Sequence, residues 1–279
     1  MASSTLIGGY RTGFAGTLRH DRWWVEPLWT GTGFLLFVIY ANWAAFQGDH
    51  YWYGSYLSPF YSPVLFTDPT RPGAAPLHHA VFGAWPDWLR ALWPSFLPTS
   101  PAWLILIGPL PFRATCYYYR KFYYRAYFFT PPACAVNALP RRNYRGETFL
   151  LIFQNLHRYA MYVAIAYIVI LSYDAAIAFF RDGHFGVGVG SIVLLLNPIL
   201  LATYTFGCHS FRHLVGGRLD CFSCDAASQT RHGVWEKVSW LNERHMLFAW
   251  ISMIWVAFCD FYVRMVSMGY VHDFSTWGS

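Results

Sequence analysis

The chain has 279 residues, of which 56% are hydrophobic and only 12% are charged; because a soluble domain carries about 25% charged residues, an ordinary soluble protein is excluded. Six cysteines in this length are too few for a disulfide scaffold. The net charge of +6 is expected of a membrane protein whose inner loops collect Lys and Arg, and no basic helix or zinc-finger spacing indicates nucleic-acid binding.

Five segments are predicted to cross the membrane. Residues 1–27 are mixed and charged, and we expect them to form a cytoplasmic N-terminal arm. A spanning helix needs about 20 apolar residues, and the segments that qualify are 28–46, 101–127, 149–180, 187–214 and 245–266. Pro109, Pro111 and Arg113 interrupt the second segment, which a membrane tolerates when neighbouring helices satisfy the freed carbonyl groups. The expected fold is an all-α membrane protein with five transmembrane helices over 28–266 and an outer tail, 267–279.

The distribution of Lys and Arg predicts the orientation. Segments 1–27, 113–158 and 212–244 hold 3, 8 and 5 of them, which is 16 of the 20 in the chain. Positive charges gather on the cytoplasmic side of a membrane protein. The chain is therefore predicted to lie in the cell membrane with its N-terminus inside and its C-terminus outside.

A long loop, residues 47–100, joins the first two predicted helices and is rich in Pro, Trp and Tyr. Such aromatic residues suit the membrane–water interface, so we expect a lid on the outer leaflet. A packed cap without chemistry is favoured here over a binding site.

Thiols and imidazoles gather at the inner ends of the predicted helices. Thiolate and imidazole are the side chains that hold redox metals. Any one of them could be a packing residue or could complement a helix dipole, but their convergence on one face indicates a metal centre. The candidates are Cys116, Cys134, His157, Cys208, His209, His213, Cys221, Cys224 and His245.

A Rieske-type [2Fe–2S] cluster fits this donor set better than zinc or haem. Cys221-x-x-Cys224 lacks the second cysteine pair of a structural zinc site. Haem would need histidines midway along facing helices, and none lies there, so no haem is expected. Two thiolates and two imidazoles, by contrast, are the Rieske ligand set. The preferred imidazoles are His157 and His209, with His213 as the alternative; the preferred thiolates are Cys116 and Cys208, with Cys134 and Cys224 as alternatives.

Tyrosines and arginines surround these candidates. Both side chains can hydrogen-bond a quinone carbonyl, and apolar helix faces can hold the quinone tail. Most of them are explained equally well as an interfacial aromatic belt with inner positive charges. Tyr119, Arg158 and Tyr159 are predicted to bind the quinone.

Long, unusual motifs carry a resemblance to a known family. They are residues 58–63 (SPFYSP), 112–121 (FRATCYYYRK), 131–136 (PPACAV), 154–159 (QNLHRY), 207–213 (GCHSFRH) and 242–245 (NERH). From about His20 to Arg264, the chain resembles the membrane anchor subunit of the mycobacterial, haem-free class of succinate dehydrogenase, or complex II.

The resemblance implies partners and a reaction. Such anchors hold a flavoprotein subunit and an iron–sulfur subunit on the cytoplasmic face. Succinate is oxidised at FAD, and the anchor delivers the electrons to menaquinone or ubiquinone, linking the tricarboxylic acid cycle to the respiratory chain. The resemblance also implies a Rieske-type [2Fe–2S] centre in the anchor. The chain itself carries no FAD fingerprint, so we expect no dehydrogenase activity from it alone.

Two alternatives come from other classes of protein. A metal-dependent membrane oxidase resembling a desaturase needs several His-x-x-x-His sets, and only His209 with His213 fits. A transporter or a structural anchor without a redox centre is the other alternative. A transporter built from inverted halves is disfavoured because the sequence shows no internal repeat.

Overall fold

The computed structural model describes residues 6–7, 10–11, 13–140, 155–217 and 219–277. They fall into two compact units. The first unit comprises Met1–Ile39 and Arg113–His157, and the second comprises Tyr40–Phe112 and Arg158–Ser279.

Helices dominate the described part of the chain. In chain order they are α1 (Val25–Gln47), α2 (Asp87–Leu92), α3 (Pro101–Leu106), α4 (Pro109–Ala114), α5 (Tyr117–Ala126), α6 (His157–Ile177), α7 (Val189–Phe206), α8 (His209–Gly216), α9 (Ala226–Glu243) and α10 (His245–Ser267). Three short antiparallel hairpins accompany them: β1–β2 (Leu6–Ile7, Tyr10–Arg11), β3–β4 (Trp52–Tyr53, Tyr56–Leu57) and β5–β6 (Phe180–Arg181, His184–Phe185). A 3₁₀ turn covers Leu77–His79.

Among the described residues, four helices are long and apolar enough to cross a membrane: α1, α6, α7 and α10. The shortest, α7, has 18 residues, which is about 27 Å at 1.5 Å per residue and close to the thickness of the hydrocarbon core. These helices correspond to the first, third, fourth and fifth predicted segments. Residues 149–154, where the third segment was predicted to begin, lie outside the described residues.

The second predicted segment is not one continuous helix, and that prediction is wrong. It forms three short helices, α3, α4 and α5. Pro109 and Pro111 lack the N–H groups that a helix entering from Gly108 would need, so a new helix starts at Pro109. A Cβ at Gly108 would also clash with the ring of Tyr167, so this break brings the backbone close to α6.

The fourth predicted segment was too long at its C-terminal end. The transmembrane helix α7 ends at Phe206, and α8 begins at His209 after a break at Gly207 and Cys208. A Cβ on Gly207 would lie 2.8 Å from the carbonyl oxygen of Thr203 and 3.0 Å from that of Leu241. Only glycine fits here, because both neighbours are backbone atoms that cannot move aside.

The core of the second unit lies where α7 packs on α10. Val193, Leu194, Cys259 and Val263 are buried together there. Cys259 is fully buried, and its Sγ lies 3.4 Å from the carbonyl oxygen of Val193. Cys259 is therefore a packing residue of this core.

The segment that follows α1 is tightly packed. Tyr51 and Tyr61 stack with ring centroids 4.2 Å apart and ring planes 8° apart. Leu57, Val64 and Ala75 are buried in the same cluster. Burial of the Tyr51 and Tyr61 hydroxyls raises the pKa of both side chains, so both act as neutral hydrogen-bonding groups.

Candidate functional site

Cys208 begins the helix that carries the densest run of thiol and imidazole groups. Its Sγ accepts a hydrogen bond from the backbone N–H of Phe211 at 3.2 Å and lies 3.5 Å from Sδ of Met161 on α6. The side chain is fully buried. Cys208 therefore caps α8, and its sulfur is fixed between α8 and α6.

Arg158 and His213 form a polar pair in the second unit. Nη2 of Arg158 lies 2.9 Å from Nδ1 of His213. Because a guanidinium can only donate, Nδ1 accepts and the proton of a neutral imidazole sits on Nε2. His213 stays the alternative imidazole of the predicted ligand set, since metal binding would release the Nε2 proton. His209 lies on the same helix, and its side chain is exposed.

A stacked aromatic set lies between the end of α7 and the start of α10. The rings of Tyr204 and His245 are 4.8 Å apart and nearly parallel, with 17° between their planes. Phe112 packs against Tyr204 at 5.2 Å. Both Tyr204 and His245 are buried. The sequence drew attention to His245 as an imidazole at a helix start, but gave no signal for its stacking partner.

The first unit brings His157 to the end of α4. Oγ1 of Thr115 lies 2.9 Å from Nδ1 of His157, and this contact orients the ring. Cys116, the next residue, is buried at the start of α5. Thr115 was not among the predicted site residues, because a threonine inside an apolar motif carries no recognisable signal.

Tyr119 is held by a cation from the same unit. Nη1 of Arg113 donates to the Tyr119 hydroxyl at 2.5 Å, and the guanidinium carbon lies 5.7 Å from the ring centroid. The tyrosine is buried against Phe34 and Phe122. The hydroxyl is thus an oriented group, as a residue that hydrogen-bonds a ligand must be.

Cys134 lies in the loop after α5 and is exposed. Nη2 of Arg125 is 3.5 Å from its Sγ, and Nη1 of Arg19 donates to its carbonyl oxygen at 2.8 Å. Two arginines therefore hold this loop, which makes Cys134 a thiol in a positive environment.

Cys224 must be removed from the set of candidate thiolates. It is joined to Cys221 in a disulfide, and a disulfide sulfur is not a thiolate ligand. The close Cys-x-x-Cys spacing that suggested a metal pair is equally suited to this bond.

An apolar cavity in the first unit was not predicted. It has a volume of about 380 Å³, which is within the range of small-molecule sites. Trp23, Trp24 and Leu28 line it at the start of α1, opposite Tyr127 and Phe129. The cavity suits an apolar ligand such as an acyl or isoprenoid chain.

The predicted four-ligand site is not formed within either unit. Cys116, Cys134 and His157 belong to the first unit, whereas Cys208, His209 and His213 belong to the second. Among the described residues, no three His, Cys, Asp or Glu side chains are grouped so that they could hold a metal ion. The donor types suit a mixed thiolate–imidazole cluster, but the placement of the donors within each unit does not fit one. The predicted quinone residues divide in the same way, with Tyr119 in the first unit and Arg158 and Tyr159 in the second.

Comparisons with known proteins identify the family. The family described as actinobacterial succinate dehydrogenase subunit SdhC matches residues 25–269. Among solved structures, a chain of the Mycobacterium smegmatis Sdh1 complex in the apo form is 46% identical, with 92% of each chain covered and a TM-score of 0.78. No curated protein matches. Because the family match covers most of the chain, the chain belongs to the actinobacterial family of SdhC membrane subunits of succinate dehydrogenase.

Proposed function

We propose that this chain anchors a succinate dehydrogenase complex in the cell membrane and delivers its electrons to a quinone. The observation that carries the proposal is family membership over residues 25–269, together with 46% identity to a chain of an Sdh1 complex. A flavoprotein subunit and an iron–sulfur subunit dock on its cytoplasmic face. Basic residues on this face steer the docking through charge complementarity.

The distribution of charge supports an inside N-terminus. Of the 20 Lys and Arg residues, 16 lie in segments 1–27, 113–158 and 212–244. An outside C-terminus requires an odd number of crossings, so the broken segment α3–α5 crosses together with the four long helices. Breaks of this kind occur at membrane depth when protein surrounds them.

Arg158 and Tyr159 of the second unit are the residues proposed to hold the quinone, and Tyr119 of the first unit stays a predicted quinone residue. Reduction of a quinone to a quinol takes two electrons and two protons. A guanidinium that donates to one carbonyl oxygen stabilises the negative charge that builds up there, and a tyrosine hydroxyl beside the other oxygen orients the ring. Arg158 is already hydrogen-bonded to His213, and Tyr119 is already oriented by Arg113. Tyr159 is 68% exposed and therefore accessible.

The experiment compares the isolated chain with the assembled complex in matched detergent. We expect succinate-dependent reduction of a menaquinone analogue only by the complex, because the sequence of this chain carries no FAD fingerprint. Succinate oxidation by the isolated chain would contradict the proposal. Failure of the chain to co-purify with the flavoprotein and iron–sulfur subunits would contradict it as well.

A Rieske-type [2Fe–2S] centre remains a prediction, supported by donor chemistry rather than by the placement of donors within either unit. Its candidate ligands are Cys116, His157, Cys208 and His209, with Cys134 as the alternative thiolate and His213 as the alternative imidazole. Changing both Cys116 and Cys208 to Ala should remove about two iron and two acid-labile sulfide atoms per complex. Cys259→Ala, a change at another buried cysteine, is the matched control and should remove none. Equal iron and sulfide content in all three complexes would refute the cluster as assigned.

A further inference from the structure

A second cavity, lined by polar residues, lies in the second unit at the end of the apolar helix α6. It has a volume of about 450 Å³ and opens where α6 ends, at Ile177. The β3–β4 turn, the 3₁₀ turn and the start of the β5–β6 hairpin surround it. None of the residues predicted to bind a metal or a quinone lines this cavity.

Two residues that line this cavity, Arg181 and Ser55, carry buried hydrogen-bond donors without a partner among the described residues. Nε and Nη2 of Arg181 are buried, yet they have no acceptor among the described residues. Oγ of Ser55 is likewise buried without a hydrogen-bond partner among the described residues, and this serine is only 8% exposed. A buried donor that is left unsatisfied costs about 1–3 kcal/mol, so such groups normally have a partner. Two of these three atoms belong to a guanidinium, which accepts nothing and can only be matched by an acceptor.

Aromatic rings hold the guanidinium in place. Its central carbon lies 5.4 Å from the ring centroid of Tyr53, 5.8 Å from Tyr56 and 5.0 Å from Trp277. Gly54, at φ +58°, completes the enclosure, since a Cβ there would lie 3.0 Å from both Nε and Nη2. The rings thus preorganise the cation at the wall of the cavity, from which an anionic partner would approach it.

The other polar groups of the cavity indicate which charges its ligand carries. Burial and the neighbouring His78 lower the pKa of His79, so this histidine adds no positive charge at neutral pH. Asp182, which is exposed, lies on the rim. One cation inside and one carboxylate at the mouth match a ligand that carries a negative group followed by a positive group.

Exposed aromatic residues beside the cavity point to a lipid. Tyr173, one turn before Ile177 on α6, is 66% exposed, and Phe180 is 50% exposed. A membrane helix presents such side chains to acyl chains and to the interface. We propose that the cavity binds the headgroup of a zwitterionic aminophospholipid, with its phosphate on Arg181 and Ser55 and its ammonium group near Asp182.

The test is a lipid titration of the purified, delipidated complex, followed by native mass spectrometry. The probes are phosphatidylethanolamine, phosphatidylglycerol and inorganic phosphate. Arg181→Gln should weaken phosphatidylethanolamine binding by about tenfold or more, because charge-assisted hydrogen bonds to phosphate are lost. Arg90→Gln, at an exposed arginine on α2, is the matched control and should leave binding unchanged. Succinate oxidation with an artificial dye should be normal in both complexes, and a normal rate shows that the subunits have assembled.

Ser55→Ala keeps the proposal testable if Arg181→Gln fails to assemble. Since the hydroxyl has no partner among the described residues, its loss should leave the thermal stability of the delipidated complex unchanged while weakening lipid binding. Asp182→Asn should reduce the preference for phosphatidylethanolamine over phosphatidylglycerol. Equal binding of phosphatidylethanolamine by wild type and Ser55→Ala would overturn the proposal. Inorganic phosphate that stabilises the complex as well as the lipid does would assign the cavity to a free anion instead.

Discussion

Replacing Asp260 by asparagine is expected to destabilise the chain by about 3 kcal/mol, because it removes one of the two carboxylates that pair with a buried cation. Asp260 and Arg264 are one turn apart on α10, fully buried, with Nε of Arg264 3.5 Å from Oδ2 of Asp260. The carboxylate also accepts hydrogen bonds from Tyr40 at 2.6 Å and from Ser58 at 2.5 Å. An asparagine keeps the size of the side chain but loses the charge.

Asp49 limits the loss of stability expected from Asp260→Asn. Nη1 of Arg264 also lies 3.1 Å from Oδ1 of Asp49, so the cation keeps one partner when Asp260 is neutralised. We therefore expect the lower end of the range for a broken buried pair, which is about 3–5 kcal/mol. The free energy of unfolding of the second unit, measured by denaturation in detergent, reports the change.

Two further variants show whether the effect comes from charge burial. Asp220→Asn changes an exposed carboxylate and should alter the free energy of unfolding by less than about 0.5 kcal/mol. Asp260→Asn combined with Arg264→Met removes both charges and should recover part of the loss. If the single Asp260→Asn variant is as stable as the wild type, the pair is not a stabilising element of this helix.

The long apolar helices could be predicted from the sequence, whereas the breaks could not. The helix α10 begins at His245, as predicted. An uninterrupted apolar run of this length satisfies its backbone hydrogen bonds in a bilayer by forming one continuous helix. The segment from Pro101 onwards has a similar apolar start, but Pro109 and a close approach to Tyr167 divide it. Whether a proline kinks a helix or ends it depends on packing partners distant in sequence, so periodicity does not decide it.

The site could be predicted by residue type but not by pairing. Cys208 and His213 stood out because thiolate and imidazole are the side chains that hold redox metals. The hydrogen bond that gives His213 its tautomer comes from Arg158, which is 55 residues away. Ser55 and Arg181 gave no sequence signal, because an unsatisfied donor is recognised only when the space around it is known. Contacts between distant residues, rather than local patterns, decide these features.

Replacing Arg158 by alanine is expected to lower kcat/KM for quinone reduction by about tenfold or more, while electron transfer from succinate to an artificial dye stays normal. The guanidinium is the proposed donor to a quinone carbonyl, and a charged donor of this kind contributes about 1.5–3 kcal/mol. Dye reduction bypasses the quinone site, so it separates lost binding from lost assembly. Arg244→Ala, at an exposed arginine whose side chain contacts Glu243 and Trp240, is the matched control and should leave both activities unchanged.

Variants of His213 show whether Arg158 contacts the quinone directly. If the guanidinium itself contacts the quinone, Arg158→Lys should retain part of the activity and His213→Ala should have a smaller effect than Arg158→Ala. If Arg158 only positions His213, the two single variants and the double variant should all lose the same activity, since the pair then acts as one unit. Either pattern keeps the pair in the quinone site. Quinone reduction that is unchanged in Arg158→Ala removes it, because the 2.9 Å contact between the two side chains would then be only structural.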